Sequence, residues 1–203
     1  MNISFRHAVP LLLLAALPLC PAAARAEAPA DTFMAALSRY CGQAFAGQVI
    51  HNTPASATPD PFEGKALVMH VRGCDTPAQE LRVPFHVGDD HSRTWVITRT
   101  AEGLRLKHDH RHADGSPDAV TLYGGDSDGA GTAQRQEFPV DAASVAMFQA
   151  QGMTASLRNT WALQLEPGQR MIYELSRPDG RLFQVAFDLR TPVPLPPAPW
   201  GSD

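Results

Sequence analysis

The sequence has few lysines, few cysteines and no long apolar run after its first residues, and each shortage excludes a class of protein. Lys65 and Lys107 are the two lysines, and the formal net charge of the 203-residue chain is −4. Nucleic acids and anionic membranes select for clustered Lys and Arg, so we expect neither as a partner. No later run approaches the roughly 20 apolar residues of a membrane-spanning helix. We therefore expect no transmembrane segment in the mature chain.

The apolar run near the start has the features of an export signal. It covers residues 8–19 and follows a short positive start. Ala24-Arg25-Ala26 is a small-x-small cleavage site, which predicts that residues 1–26 are removed and that the mature chain begins at Glu27. Loss of two arginines and no acid would lower the net charge from −4 to −6. We predict an exported protein, either periplasmic or secreted.

The mature chain would keep two of the three cysteines, Cys41 and Cys74. In an oxidising compartment two cysteines most simply form one disulfide bond. A catalytic or metal-binding pair is the less favoured interpretation, because the sequence contains no CxxC spacing.

Most of the remaining chain alternates between apolar and polar residues in short runs separated by polar links. This pattern is typical of an antiparallel meander, and Asp31-Thr32 and Asp141 mark the starts of two short helices. We predict a mainly β protein: a single antiparallel up-and-down β-barrel of about eight to nine strands, with a short N-terminal helix and a second before the last three strands. The barrel would occupy residues 27–191, followed by a proline-rich tail at 192–203.

The predicted strands lie at 45–50, 65–72, 81–87, 94–100, 104–112, 119–123, 160–166, 170–176 and 181–189. The glycine-rich run at 124–133 is predicted to be a loop. Pro84 indicates that its strand is an edge or carries a bulge.

Two resemblances follow from particular stretches. FAGQV after a short helix, followed by a meander, resembles the lipocalin-like (calycin-type) barrels, although the Gly-x-Trp of their first strand is absent. VPFHVGDDHSRTWVITRT, LKHDHRHADGSPDAVTLYGGD and the ending PPAPWG are similar to a family of uncharacterised exported bacterial proteins. The second resemblance covers most of the mature chain and implies no activity.

The stretch LRLKHDHRHADG places three histidines at alternate positions: His108, His110 and His112. In a strand they share one face with Leu104 and Leu106, and that face is expected to point inward. His108 and His112 lie about 13 Å apart along a strand, so the three cannot easily bind one metal ion.

A histidine pair from this strand could still bind zinc or another transition metal, which His-x-His pairs on strands can coordinate. His86, His91 and Asp90, from the strand and hairpin before it, are the candidates to complete such a site. The competing interpretation is a hydrogen-bonded polar patch at the barrel mouth with no ligand. No cofactor is otherwise indicated.

Familiar enzyme motifs are incomplete. HDHRHADG departs from the metallo-β-lactamase pattern H-x-H-x-D-H, since His112 stands where Asp is required. Gly125-Asp126-Ser127 echoes the GDS of some serine hydrolases, but no histidine follows it in the sequence.

Three functions remain open. The favoured one is an exported barrel that binds a small molecule or metal without catalysis. The first alternative is a metal-assisted or His/Asp acid-base hydrolase that uses His108, His110, Asp90 and His91. The second is an envelope structural protein that binds an unidentified protein partner.

Overall fold

The computed structural model describes Met1 and residues 28–54 and 61–202. It contains two α-helices, a 3₁₀ helix at Thr154–Arg158 and ten strands in these parts of the chain. The helices are α1 (Pro29–Ser38) and α2 (Ala142–Ala150). The strands are β1 (Ala44–Thr53), β2 (Leu67–His70), β3 (Glu80–Val87), β4 (Asp90–Arg99), β5 (Leu104–His110), β6 (Tyr123–Asp126), β7 (Arg135–Pro139), β8 (Thr160–Glu166), β9 (Arg170–Ser176) and β10 (Leu182–Asp188).

The ten strands form one sheet in the order β6-β5-β4-β3-β2-β1-β10-β9-β8-β7, and every neighbouring pair is antiparallel. The two end strands, β6 and β7, approach each other. The amide of Asp141 donates to the carbonyl of Gly124 at 2.9 Å, and that of Asp128 donates to Glu137 at 3.0 Å. The sheet is therefore a nearly closed up-and-down barrel, which confirms the predicted fold class.

The two end strands differ from the prediction: β6 is shifted along the chain, and β7 is the additional strand that raises the count to ten. β6 begins at Tyr123, the last residue of the strand predicted at 119–123, and continues into the glycine-rich run at 124–133 that was predicted to be a loop, whereas residues 119–122 are not a strand. At Gly125 a Cβ atom would lie 1.8 Å from the carbonyl oxygen of Pro139, so only glycine lets the two ends approach this closely. β7 is short and ends at a proline, so its alternation is too brief to predict a strand.

Both predicted helices are present. α2 is capped as expected, since the Asp141 carboxylate accepts a hydrogen bond from the amide of Ser144 at 2.8 Å. α1 begins earlier than its predicted start, with Ala28 at the N-cap. Asp31 therefore lies in the first turn and forms an ion pair with Arg99 at the end of β4. None of the helices in the described residues is long and apolar enough to cross a membrane.

Helix α1 closes one end of the barrel. Phe33, Met34 and Leu37 are fully buried and belong to the same core as the inward residues of the strands. Tyr40, just after the helix, accepts a hydrogen bond from the amide of Gly168 in the β8–β9 turn. Because this turn and Arg99 lie at the same end, the opposite end is the one bounded by the β9–β10 turn.

A disulfide bond joins Cys41 to Cys74, as the sequence predicts. The two residues are 33 positions apart, so the bond stabilises the fold by about 3–4 kcal/mol on the chain-entropy model. It ties the segment after α1 to the segment between β2 and β3.

The C-terminal tail packs along the outside of the barrel. Val193 pairs with Ala44 in β1, and the amide of Trp200 donates to the carbonyl of His91 at 3.0 Å. The Arg72 guanidinium donates to the hydroxyl of Ser202. The tail is a strap over the outer surface. The predicted signal peptide, apart from Met1, lies outside the described residues.

Candidate functional site

The histidine strand has the predicted orientation. Leu104, Leu106 and His108 are buried on the inner face of β5, and His110 is partly buried. His108 pairs with Trp95 and His110 pairs with Arg93 in the ladder to β4. The regular strand ends at His110, so the side chain of His112 is exposed beyond it.

His108 is buried among aromatic rings, with 3% of its surface exposed. Its Nδ1 lies 3.2 Å from the carbonyl oxygen of Tyr123, and its Nε2 lies 3.0 Å from the hydroxyl of Tyr173. A carbonyl only accepts, so Nδ1 donates and Nε2 accepts from the tyrosine hydroxyl. Both ring nitrogens are therefore satisfied by the neutral form of His108.

His110 extends this polar row toward the open end. Its Nε2 lies 3.0 Å from the hydroxyl of Tyr123, whose ring stacks on His108. Burial lowers the pKa of His108 to about 3 and of His110 to about 4, and it raises the pKa of Tyr123 to about 12. The inner histidine pair, His108 and His110, is thus uncharged at neutral pH and is held by tyrosines.

His86 and His91 meet through a β-bulge. β3 and β4 pair at Phe85 with Arg93 and at Val87 with Asp90, so His86 alone faces two residues of β4. A bulge of this kind re-aims side chains. It places Nδ1 of His86 2.7 Å from Nδ1 of His91. Pro84 itself pairs regularly with Thr94, so the bulge of this strand pair lies two residues further on, with its extra residue in β4, and β3 is an interior strand of the sheet rather than an edge.

His86 and His91 form the outer histidine pair. Phe85 and Val87 point into the core, so His86, which lies between them on β3, points to the outside of the barrel. His86 is 2% exposed, and its Nε2 has no hydrogen-bond partner among the described residues. Trp200 of the strap packs edge-on against the ring of His91. Burial, together with the neighbouring His91, lowers the pKa of His86 to about 4.

The structure therefore divides the candidate residues rather than gathering them. His108 and His110 lie inside the barrel, whereas His86 and His91 pair with each other outside it. Asp90, the first residue of β4, forms an ion pair with Arg93 at 2.6 Å. Within the described ranges, no group of three or more His, Cys, Asp or Glu side chains is arranged to hold a metal ion.

A cavity of about 370 Å³ opens at the end of the barrel opposite α1. Its walls are mainly aromatic and aliphatic, and polar side chains stand among them. The lining residues are Phe62, His110, Asp118, Val120, Tyr123, Phe148, Met153, Ser156, Asn159, Trp161, Tyr173, Leu175, Arg177, Arg181 and Phe183. We call this space the mouth cavity.

Of the sequence-predicted candidates, His110 alone lines the mouth cavity. Tyr173 and Trp161 sit on strands whose alternation places them inward, so periodicity could have marked them as lining residues. Arg177 and Arg181 flank Pro178-Asp179-Gly180, and in the sequence this stretch predicts only a turn. Their position at the cavity depends on which turns share the open end, and the sequence carries no local signal for that.

None of the family models, curated proteins or solved structures compared with the chain matches it. The fold and the mouth cavity define a class, an antiparallel barrel with one closed and one open end.

Proposed function

We propose that this protein is an exported barrel that binds a small organic molecule in its mouth cavity, without catalysing a reaction. The observation that carries the proposal is the cavity itself. Small-molecule sites are concave, mostly apolar and furnished with a few convergent polar groups. In this it would resemble the lipocalin-type barrels, although a shared fold does not carry function by itself.

The polar groups inside the cavity support binding rather than chemistry. Neutral His110 and the hydroxyl of Tyr123 hydrogen-bond to each other at the inner wall. Such a pair can orient a ligand by donating or accepting one hydrogen bond. The hydrolase alternative needs His108, His110, His91 and Asp90 at one reaction centre, and His91 lies on the outer face instead.

Fluorescence of the uncharged probe N-phenyl-1-naphthylamine tests the proposal. Its emission rises when it enters an apolar site, so titration into the purified mature protein should give saturable binding. Val120→Trp places a large ring at the cavity wall and should abolish that signal.

Ile50→Trp is the matched control, since Ile50 is an exposed residue of β1 that does not line the mouth cavity. It should bind the probe as the wild type does. Absence of saturable binding, or equal binding by Val120→Trp with an unchanged circular dichroism spectrum, would overturn the proposal.

A further inference from the structure

We propose that the mouth cavity selects a ligand with an apolar, ring-containing body and an anionic head, and that Arg177 and Arg181 hold the head. This inference rests on the proposed function and names the chemical class of its ligand. Its independent support is the distribution of charge around the cavity.

Arg177 and Arg181 are neighbours across the β9–β10 turn. The amide of Arg177 donates to the carbonyl of Arg181 at 3.0 Å, and both side chains are partly buried at the cavity. Both guanidinium groups therefore belong to the rim of the cavity, one on each side of the β9–β10 turn. Arg keeps its charge at all ordinary pH values and presents a planar fork of donors.

The partners of these two arginines are neutral. Arg177 donates to the side-chain oxygen of Asn159 at 2.6 Å, and Arg181 donates to that of Asn52 at 2.5 Å. Among the described residues, neither forms an ion pair with a carboxylate within 4.0 Å. By contrast, Arg93, on β4 at this end, forms an ion pair with Asp90.

Asp179 of the same turn interacts electrostatically with Arg177, but the side-chain hydrogen bonds of both arginines go to neutral amides. This arrangement favours an anion, because charge-assisted hydrogen bonds to an oxyanion are stronger than those to amides. A carboxylate, sulfonate or phosphate oxygen could replace the amide contacts or share them.

Asp118 is the one acidic residue among those that line the cavity. It lies in the β5–β6 connection, and the order of strands places this connection roughly across the barrel from the β9–β10 turn. The anionic head is therefore expected on the arginine side, away from Asp118.

Aromatic rings define the place of the body. Phe183 packs under the Arg181 guanidinium, 5.7 Å from the ring centroid, and against Phe62 at 4.9 Å between centroids. Trp161 and Tyr173 continue the wall inward. A ligand whose head meets the arginines would thus lay its body along these rings, where burial of its apolar surface favours binding.

Two fluorescent probes that differ by one sulfonate test the inference. N-phenyl-1-naphthylamine is uncharged, and 8-anilinonaphthalene-1-sulfonate is the same body with an anionic head. In wild-type protein at pH 7 the sulfonate should bind roughly tenfold tighter or more, as expected for charge-assisted hydrogen bonds. Its advantage should shrink as salt is raised.

Arg177→Gln/Arg181→Gln should remove that preference and leave the uncharged probe within about twofold of wild type. Arg158→Gln/Arg190→Gln is the matched control: it removes the same charge from two exposed arginines outside the cavity and should keep the preference.

Equal affinity of the two probes in wild type would overturn the anionic-head inference. A preference for the sulfonate that survives loss of both arginines would overturn it as well. Neither result would contradict the proposed function. If Val120→Trp leaves the binding of both probes unchanged, the proposed function and the anionic-head inference are both overturned. The wild-type comparison needs no variant, so a double variant that does not fold would not remove the test.

Discussion

The inner and the outer histidine pairs consist of the same side chain in opposite surroundings. Inside the barrel, both nitrogens of His108 have hydrogen-bond partners from tyrosines, and His110 has one. Outside it, His86 and His91 bond mainly to each other, and Nε2 of His86 is buried without a partner in the described chain.

The difference shows what each pair stabilises. A fully satisfied buried network fixes the positions of its members, so the inner pair holds the wall of the mouth cavity. A buried polar nitrogen without a partner costs free energy. The outer pair is therefore expected to contribute less to stability than the inner pair. Three experiments test this contrast, from the largest expected effect to the smallest.

Acidification should destabilise the protein through both pairs. Burial lowers the pKa of His86 to about 4 and of His108 to about 3. In the unfolded chain a histidine has a pKa near 6.5. The unfolded state therefore binds more protons, and stability is lost as pH falls from about 6.5 toward 4. Each of these histidines should account for on the order of 3 kcal/mol or more once its shift is fully expressed.

Urea unfolding at pH 7, 5.5 and 4.5 measures this loss. The free energy of unfolding should be nearly flat above pH 7 and should fall below it. His86→Leu should show a shallower fall, because one proton-linked group is gone. A stability that stays constant from pH 7 to 4.5 would contradict the assignment of neutral buried histidines.

Replacing one histidine from each pair should separate their roles. His108→Leu removes the hydrogen-bond partner of the buried Tyr173 hydroxyl and the stacking on Tyr123, with an expected loss of about 2–4 kcal/mol. His86→Leu removes the hydrogen bond to His91 but also a buried nitrogen that has no partner in the described chain, so the two changes offset and the effect should lie within about 1 kcal/mol.

Chemical unfolding of the two variants at pH 7, where the histidines are neutral, gives this comparison directly. Equal losses would show that the hydrogen-bond contacts do not distinguish the pairs. A larger loss for His86→Leu would reverse the comparison.

Trp200→Ala should affect the outer pair alone. Removing a partly buried indole costs about 1–2 kcal/mol, and it lets water reach His91 and His86. The pKa of His86, followed by NMR of its imidazole protons, should rise toward 6.5, while that of His108 stays low. Parallel movement of both values would indicate that the strap supports the whole barrel.

The sequence predicted the inward face of β5 and the disulfide, since alternation and a lone cysteine pair are local or countable signals. Of the candidates to complete a site with the histidines of β5, Asp90 interacts electrostatically with His110, but His91 and His112 do not join them. His91 turns outward at the bulge opposite His86, and His112 lies beyond the end of β5. Both outcomes depend on how β5 and β3 pair with their neighbouring strands, and the spacing of side chains within one strand does not determine that register.

Strand periodicity by itself determined that this chain forms an antiparallel barrel with a leucine-histidine face pointing inward. The tertiary structure alone decided which end stays open, which histidines meet, and that Arg177 and Arg181 stand beside the aromatic wall. The physical reason is that the alternation of apolar and polar residues determines only which face of a strand points inward. The bulge in β4 and the closure by α1 arise from contacts between different elements of the chain.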